Sequence, residues 1–199
     1  TSPTNYHWIN MYRHIFKRLI DIVAAAFILC LTSPILLLAV LALLISNHSR
    51  DIFFYQSRPG LHGKIFRIIK LKTMNDAKDD NGNLLPDADR LTKVGRIIRS
   101  MSLDELPQFI NVLKGDMSVV GTRPPTYDEY KKYELHHFKR MQVKPGITGM
   151  WQTSGRSNIL DFEEVVKLDL KYIEEWSLRL DIKIIFRTIL VVLKREGSK

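Results

Sequence analysis

The sequence contains a single cysteine, Cys30, among 199 residues. A disulfide within the chain is therefore excluded, and the position of Cys30 in an apolar run indicates an inert thiol. Acidic residues are also scarce, since 21 Asp and Glu stand against 30 Lys and Arg, which gives a formal net charge of +9. A charge of this sign suits a polyanionic partner such as nucleic acid, anionic lipid or a phosphate-rich substrate.

Sequence motifs of several enzyme and binding classes are missing. The chain has no Walker loop, no GxGxxG, no GxSxG, and no zinc-finger or RNP pattern, so a nucleic-acid partner is not expected. The adjacent His136 and His137 have no Cys or His at a spacing that would complete a zinc site. We therefore expect the histidine pair to lie on a solvated helix face.

One long apolar run occupies residues 22–45, IVAAAFILCLTSPILLLAVLALLI, and contains no charge. As a single helix it would be about 36 Å long, enough to cross a hydrocarbon core of about 30 Å. However, Pro34 follows Thr32 and Ser33 at its centre, and proline favours a kink. Both flanks are also basic, which favours the cytoplasmic side for each. Two interpretations stay open from these residues: a kinked spanning helix, or a helix–break–helix that enters and leaves by one face.

The C-terminal segment 181–195, DIKIIFRTILVVLKR, has the pattern of a cationic amphipathic helix. Its apolar face consists of Ile182, Ile185, Phe186, Ile189, Leu190 and Leu193. Such a helix can lie in the membrane interface or pack on the domain core, and the pattern does not choose between them.

The remaining segments predict a mainly α fold with a small β-hairpin. Residues 51–74 have two β-rich stretches around the turn RPGLHG, and helices are predicted at 107–114, 126–142 and 161–176. The segments 75–90, 121–125 and 144–149 have loop or turn chemistry. We divide the chain into a membrane region at 1–50 and a cytosolic catalytic domain with interfacial helices at 51–199.

The stretch SLDELPQFINVLKGDMS places Asp104 and Glu105 side by side. One interpretation is a capping box, because Ser102 precedes Glu105 by three residues and acidic groups suit a helix start. The other is phosphoryl-transfer chemistry, because Lys93, Arg96, Arg99, Lys114 and Arg123 are close in sequence. In that case one carboxylate attacks phosphorus and the other holds a divalent metal.

Five motifs along the chain resemble those of one enzyme family. They are KIFRIIKLKTM, DADRLTKVGRIIRS, SLDELPQFINVLKGDMSVVGTRP, KPGITGMWQTSGRS and FEEVVKLDLKYIEEWSLRLDIKII. Within a collinear likeness over residues 12–195, they resemble the bacterial sugar transferases, the monotopic phosphoglycosyl transferases. The resemblance implies transfer of a sugar-1-phosphate from a UDP-sugar to polyprenyl (undecaprenyl) phosphate, with release of UMP. The product would be a lipid-linked diphosphosugar that starts capsule or exopolysaccharide assembly.

The resemblance also implies roles for individual residues. Asp104 would be the nucleophile that becomes linked to the phosphosugar, and Glu105 would bind Mg²⁺. The phosphate-binding set would be Lys70, Lys72, Arg99, Arg123 and Arg156, with Asp169 as a further active-site acid. The helix break would fall on Ser33 and Pro34, which favours re-entry from the cytoplasmic face of the inner membrane. The partners expected are a UDP-sugar, a polyprenyl phosphate and membrane lipid, while a homodimer stays open.

Departures from the family pattern leave two questions open. The chain reads KLKTM where the family often has KFRTM, so Lys72 has the charge of an arginine without its bidentate geometry. GTRPPT and WQTSGRS resemble the members that use hexoses, whereas NLLPDADRLT resembles those that use modified amino-sugars. The identity of the sugar is therefore undecided. Many members that use hexoses have a further N-terminal membrane module, and whether one was removed from this sequence is also undecided. A noncatalytic membrane-anchored adaptor that binds anionic lipid is the alternative function.

Overall fold

The computed structural model describes residues 11–47, 51–155 and 161–194, which form a mainly helical protein. The helices are α1 (Lys17–Asn47, after a π-helical turn at Tyr12–Phe16), α2 (Asp87–Arg90), α3 (Lys93–Ser100), α4 (Gln108–Lys114), α5 (Tyr127–Lys131), α6 (Phe162–Glu175) and α7 (Leu178–Leu193). The strands are β1 (Phe53–Pro59), β2 (Ile65–Leu71), β3 (Ser118–Val120) and β4 (Gly146–Thr148). Short 3₁₀ helices lie at Leu61–Gly63, Leu103–Glu105 and Leu135–Gln142.

The predicted hairpin is confirmed as the antiparallel pair β1–β2, whose register runs from Phe53 opposite Leu71 to Pro59 opposite Ile65. Phe66 and Ile68 of β2 are buried in the core. The side chain of Asn111 fixes α4 against this strand. Its Oδ1 accepts from the Ile69 amide at 3.1 Å, and its Nδ2 donates to the Arg67 carbonyl at 2.7 Å.

A second strand pair was not predicted from the sequence. β3 and β4 pair in parallel, with Ser118 opposite Gly146 and Val120 opposite Thr148. We expected a loop at 144–149 and predicted no element for Ser118–Val120. The backbones come so close here that a Cβ on Gly146 would lie 2.2 Å from the Gly121 amide nitrogen. Glycine is therefore required for the approach, and the same glycines gave the segment its loop-like sequence.

The predicted helices at 107–114 and 161–176 are confirmed as α4 and α6. The prediction of one helix over 126–142 is wrong, because α5 ends at Lys131 and a 3₁₀ helix follows from Leu135. The second helix has its own start, at which the Glu134 amide donates to His137 Nδ1 at 2.8 Å. A local side-chain acceptor of this kind competes with helix propagation.

Helix α1 is one continuous helix of 31 residues with Pro34 inside it, not two helices separated at Ser33 and Pro34. Proline cannot donate to the Cys30 carbonyl, and the Ser33 hydroxyl donates to that oxygen instead at 2.8 Å. The Thr32 hydroxyl donates to the Ile28 carbonyl at 2.7 Å. These local bonds allow the helix to continue through the proline.

Both halves of α1 pack on the rest of the protein. Near its start, Arg18 donates to the Val112 and Leu113 carbonyls at the end of α4. Near its end, Leu43 packs in a second apolar cluster and Asn47 Nδ2 donates to the Lys72 carbonyl at 3.1 Å. The division of the chain at residue 50 stays a prediction, and residues 48–50 lie outside the described part.

A buried polar cluster joins the start of α1 to the start of α7. Lys17 Nζ lies 2.8 Å from Asp21 and 3.1 Å from Asp181, and all three side chains are nearly inaccessible. The hydroxyls of Tyr12 and Tyr172 donate to Asp181 at 2.6 and 2.8 Å. Since each buried carboxylate has several donors, the cluster fixes α7 against α1.

Helix α7 buries only a narrow stripe. Asp181 and Ile184 face the interior, and Ile185 packs against the core. The other five residues of the predicted apolar face are exposed: Ile182, Phe186, Ile189, Leu190 and Leu193. Apart from Ile185, this apolar face is exposed. Packing of the face on the domain core, one of the two alternatives, is therefore not observed.

Candidate active site

The acidic pair lies in the 3₁₀ turn Leu103–Glu105, between α3 and α4. The capping-box interpretation is wrong, because Ser102 has left-handed backbone (φ 55°) and its side chain makes no capping bond. The Glu105 carboxylate instead accepts from Lys70 Nζ on β2 at 2.8 Å. The two acids are therefore directed by the sharp turn and the hairpin rather than by a helix start.

Asp104 is a buried carboxyl, with 7% of the residue exposed. Burial raises its pKa to about 6, and the negative charge of Glu105 acts in the same direction. Lys70 and Arg99 oppose this increase through their positive charges. Asp104 is therefore mostly ionised only above about pH 6, and its charge is poorly solvated.

A cleft of about 1240 Å³ brings the acidic pair together with most of the predicted phosphate-binding residues. Its lining includes Asp104, Glu105, Lys70, Lys72, Arg99 and Arg123. Arg156 lies outside the described residues. Several apolar side chains, including Ile147 and Val191, share the same lining, so the cleft has both charged and apolar walls.

Arg58 was not predicted as a cleft residue, because in sequence it belongs to the basic segment that follows the apolar run. Its side chain lines the cleft and donates to Gln56 Oε1 and to the Pro124 carbonyl. Burial lowers the pKa of Arg58, and the nearby charge of Arg123 adds to the effect. The two arginines thus concentrate positive charge in one part of the cleft.

Lys72 lies at the cleft but already has two acidic partners. Its Nζ lies 2.8 Å from Asp51 and 2.6 Å from Asp76. A phosphate would have to compete with both carboxylates.

Asp169 is not among the residues that line the cleft. It is fully buried, and its Oδ2 accepts from Arg140 Nε at 2.9 Å and from the Arg123 amide at 3.3 Å. Among the described residues, its hydrogen bond from the Arg123 amide connects it to the cleft lining. Arg140, which sequence reasoning did not select, is its charge partner.

Glu163 joins the histidine pair to give three potential metal ligands. It lies 3.1 Å from His136 Nε2 and 2.7 Å from His137 Nε2. Because His137 Nδ1 accepts from the Glu134 amide, the network assigns the ring proton to Nε2, which donates to Glu163. That nitrogen has no lone pair for a metal in this arrangement.

Comparison with known proteins identifies close relatives over nearly the whole chain. Residues 12–195 match the family described as bacterial sugar transferase. The chain is 50% identical to the uncharacterized sugar transferase EpsL of Bacillus subtilis, over 92% of this chain and 90% of the relative. It is 47% identical to the galactosyl transferase CpsE of Streptococcus agalactiae, over 94% of this chain but only 44% of that protein. A UDP-glucose:undecaprenyl-phosphate glucose-1-phosphate transferase of Caulobacter vibrioides is 40% identical, over 92% and 71%.

Proposed function

Because the chain belongs to the bacterial sugar transferase family, we propose that it transfers a sugar-1-phosphate from a UDP-sugar to polyprenyl phosphate, with release of UMP. The observation that carries the proposal is the acidic pair in a cleft that Lys70, Arg99, Arg123 and Arg58 also line. Several relatives are named as transferases that act on undecaprenyl phosphate, and this supports the acceptor class.

Electrostatics explains why such a site needs its cations. A carboxylate about 4 Å from one phosphate charge is repelled by about 4 kcal/mol at an effective dielectric near 20. A diphosphate carries more than one such charge, so without cations the repulsion would prevent Asp104 from approaching the phosphorus. Basic side chains in the same cleft offset this repulsion, and they also hold the diphosphate in position.

We assign two displacement steps at phosphorus. Asp104 Oδ attacks the sugar-bearing phosphorus of the UDP-sugar, the bond from that phosphorus to the bridging oxygen breaks, and UMP leaves with that oxygen. An oxygen of the polyprenyl phosphate then attacks the same phosphorus and expels the Asp104 carboxylate. Asp104 attacks as a carboxylate, and the acceptor phosphate is already ionised at neutral pH. Neither step therefore needs a general base.

We propose that Glu105 binds Mg²⁺. Glu105 presents a carboxylate that is 27% exposed beside the cleft, and Mg²⁺ is commonly held by one or two carboxylates together with substrate phosphate. When bound, the ion would neutralise negative charge on the diphosphate. Lys70 Nζ also donates to this carboxylate.

The proposed function is tested with the donor alone. We expect wild-type protein incubated with a UDP-sugar and Mg²⁺ to release one UMP per active site and to gain the mass of one phosphosugar on Asp104. UDP-galactose and UDP-glucose are the first donors to test, since relatives are named for galactose or glucose. Intact-mass measurement after rapid quench and peptide mapping provide the readout.

Two outcomes would overturn parts of this proposal. Turnover with both substrates, but no adduct with donor alone, would contradict the covalent intermediate. Absence of UMP release with every UDP-sugar and polyprenyl phosphate would contradict the proposed transferase activity and favour the membrane adaptor. In the same assay Asp104→Asn should form no adduct. Its matched control is Asp128→Asn, because Asp128 is an exposed acid outside the cleft lining.

We further propose that α1 bends at Pro34 without a break in the helix, so that it enters the membrane from the cytoplasmic face and returns to that face. The helix is long and apolar enough to cross a membrane, and only 11% of its most apolar window is buried, so packing within the protein does not explain its composition. Its start and its end both contact the same body, through Arg18 and Asn47. The exposed apolar face of α7 supports a second contact at the interface.

Labelling of single cysteines tests this topology. In a Cys30→Ser background, Ile15→Cys and Ile45→Cys place thiols at exposed positions before and near the end of α1. We expect a membrane-impermeant maleimide to label both from the cytoplasmic side in inverted vesicles, and neither in intact cells. The wild-type protein, in which Cys30 is exposed on the helix between these positions, is the control. Its thiol should be protected by lipid in both preparations. Labelling of the two engineered positions from opposite sides would establish a spanning helix.

A further inference from the structure

We infer that Arg140 and Asp169 form a buried clamp on the main chain of Arg123, and that both act on the reaction by positioning this cleft arginine. The inference rests on the proposed function, because it concerns the placement of a cation against the substrate phosphates. It assigns Asp169 a positioning role instead of direct contact with substrate.

The clamp begins with an ion pair that water does not reach. Arg140 is 2% exposed and Asp169 is 0% exposed. Arg140 approaches one carboxylate oxygen, Asp169 Oδ2, with two donors, Nε at 2.9 Å and Nη2 at 2.5 Å. Arg140 Nη1 donates to the Tyr133 hydroxyl at 2.7 Å, so the guanidinium is fixed at both of its ends.

The same ion pair holds the backbone of Arg123 from both sides. The Arg123 amide donates to Asp169 Oδ2 at 3.3 Å, and the Arg123 carbonyl accepts from Arg140 Nη2 at 3.3 Å. The adjacent Thr122 hydroxyl donates to the Arg140 carbonyl at 3.2 Å. Two consecutive peptide groups are therefore tied to one charge pair, which fixes the origin of the Arg123 side chain.

The Arg123 side chain extends from this fixed backbone into the cleft. Its Nη1 lies 3.0 Å from Glu129 Oε2, and its guanidinium carbon lies 5.3 Å from the centre of the Trp151 ring. The side chain is still 26% exposed, so it can contact a ligand. Support at the backbone, on one edge and on one face restricts the orientation of its remaining donors.

Simple stabilisation is a poorer explanation of this ion pair. Replacement of a buried pair by apolar side chains is often neutral or stabilising, because desolvation offsets much of the attraction. Asp169 also uses only one of its oxygens, since Oδ1 has no hydrogen-bond partner among the described residues. The bonds are instead concentrated on the oxygen that holds Arg123, as a positioning role requires.

A double-mutant cycle tests the clamp. We expect Asp169→Asn to lower kcat/KM for the UDP-sugar by about 10- to 100-fold per folded molecule. In an Arg123→Ala background the same substitution should change kcat/KM by less than about 2-fold, because there is no arginine left to position. Arg140→Lys keeps the charge but loses the forked geometry, and it should give an intermediate loss that depends on Arg123 in the same way.

Controls separate positioning from stability. Asp181→Asn is the matched control, because Asp181 is also a buried acid with several donors but does not line the cleft. It should lower the melting temperature and leave kcat/KM for the folded fraction unchanged. If Asp169→Asn does not fold, Arg140→Lys is measured in both backgrounds.

The outcomes distinguish the clamp from the proposed function. Equal fold-losses with and without Arg123, or no loss at all, would overturn the clamp while wild-type turnover continues. Absence of UMP release by the wild type would instead overturn the proposed function. A loss of activity that disappears in the Arg123→Ala background supports both.

Discussion

Replacement of Asp104 by asparagine is expected to abolish the covalent adduct and to lower turnover by at least about 10⁴-fold. The amide is a poor nucleophile of almost the same shape, so the cleft should still bind the UDP-sugar. Donor binding measured by calorimetry should change by less than about 10-fold, while UMP release falls to background. Substantial UMP release by Asp104→Asn would show that another group attacks phosphorus.

The same substitution is expected to stabilise the fold at neutral pH. Burial raises the pKa of Asp104 from 3.8 to about 6, so the native state binds a proton that the unfolded chain releases between these two values. Stability therefore falls as pH rises through this window, and the cost is complete above about pH 6. The difference of about two pKa units corresponds to about 3 kcal/mol.

Unfolding experiments without divalent metal measure this cost. Asp104→Asn should exceed the wild type by about 2–3 kcal/mol in unfolding free energy at pH 7.5, and by less than about 1 kcal/mol near pH 4. Asp128→Asn, at an exposed site, should show no such pH-dependent gain. A gain for Asp104→Asn that does not change between the two pH values would contradict a charged, buried Asp104.

The sequence was sufficient for elements whose pattern is local. The β1–β2 hairpin follows from β-branched and aromatic residues around RPGLHG, and α4 follows from Pro107 at its start and Gly115 at its end. In these cases one short stretch contains both the element and its boundary. The position of Asp104 and Glu105 could also be found, but the sequence left the capping box open, and only the left-handed backbone of Ser102 excludes it.

Features that depend on distant contacts could not be predicted. β3 and β4 are three residues each and lie far apart in sequence, so neither has a periodicity to detect. Asp169 appears on the buried side of a helix, and only the fold brings Arg140 and the Arg123 backbone to it. Arg58 is likewise ambiguous in sequence, because its charge suits a membrane flank as well as a phosphate site.

The second large effect concerns Glu105 and the Mg²⁺ ion that we propose it binds. Because the Glu105 carboxylate borders the cleft and suits Mg²⁺, Glu105→Gln should raise the Mg²⁺ concentration for half-maximal UMP release by at least about 10-fold. At low Mg²⁺ the loss in kcat/KM should be about 10²- to 10³-fold, with partial recovery when Mg²⁺ is raised. A chelator should abolish activity of the wild type.

The competing explanation is that Glu105 only anchors Lys70, whose Nζ lies 2.8 Å from it. Lys70→Met separates the two, because it removes the ammonium and leaves both carboxylates in place. A role in metal binding predicts that Lys70→Met weakens binding of the UDP-sugar and keeps or improves the apparent Mg²⁺ affinity, since the lysine no longer competes for the carboxylate. If Glu105→Gln and Lys70→Met instead give the same loss with unchanged Mg²⁺ dependence, Glu105 is a partner of Lys70 and the metal must be held elsewhere.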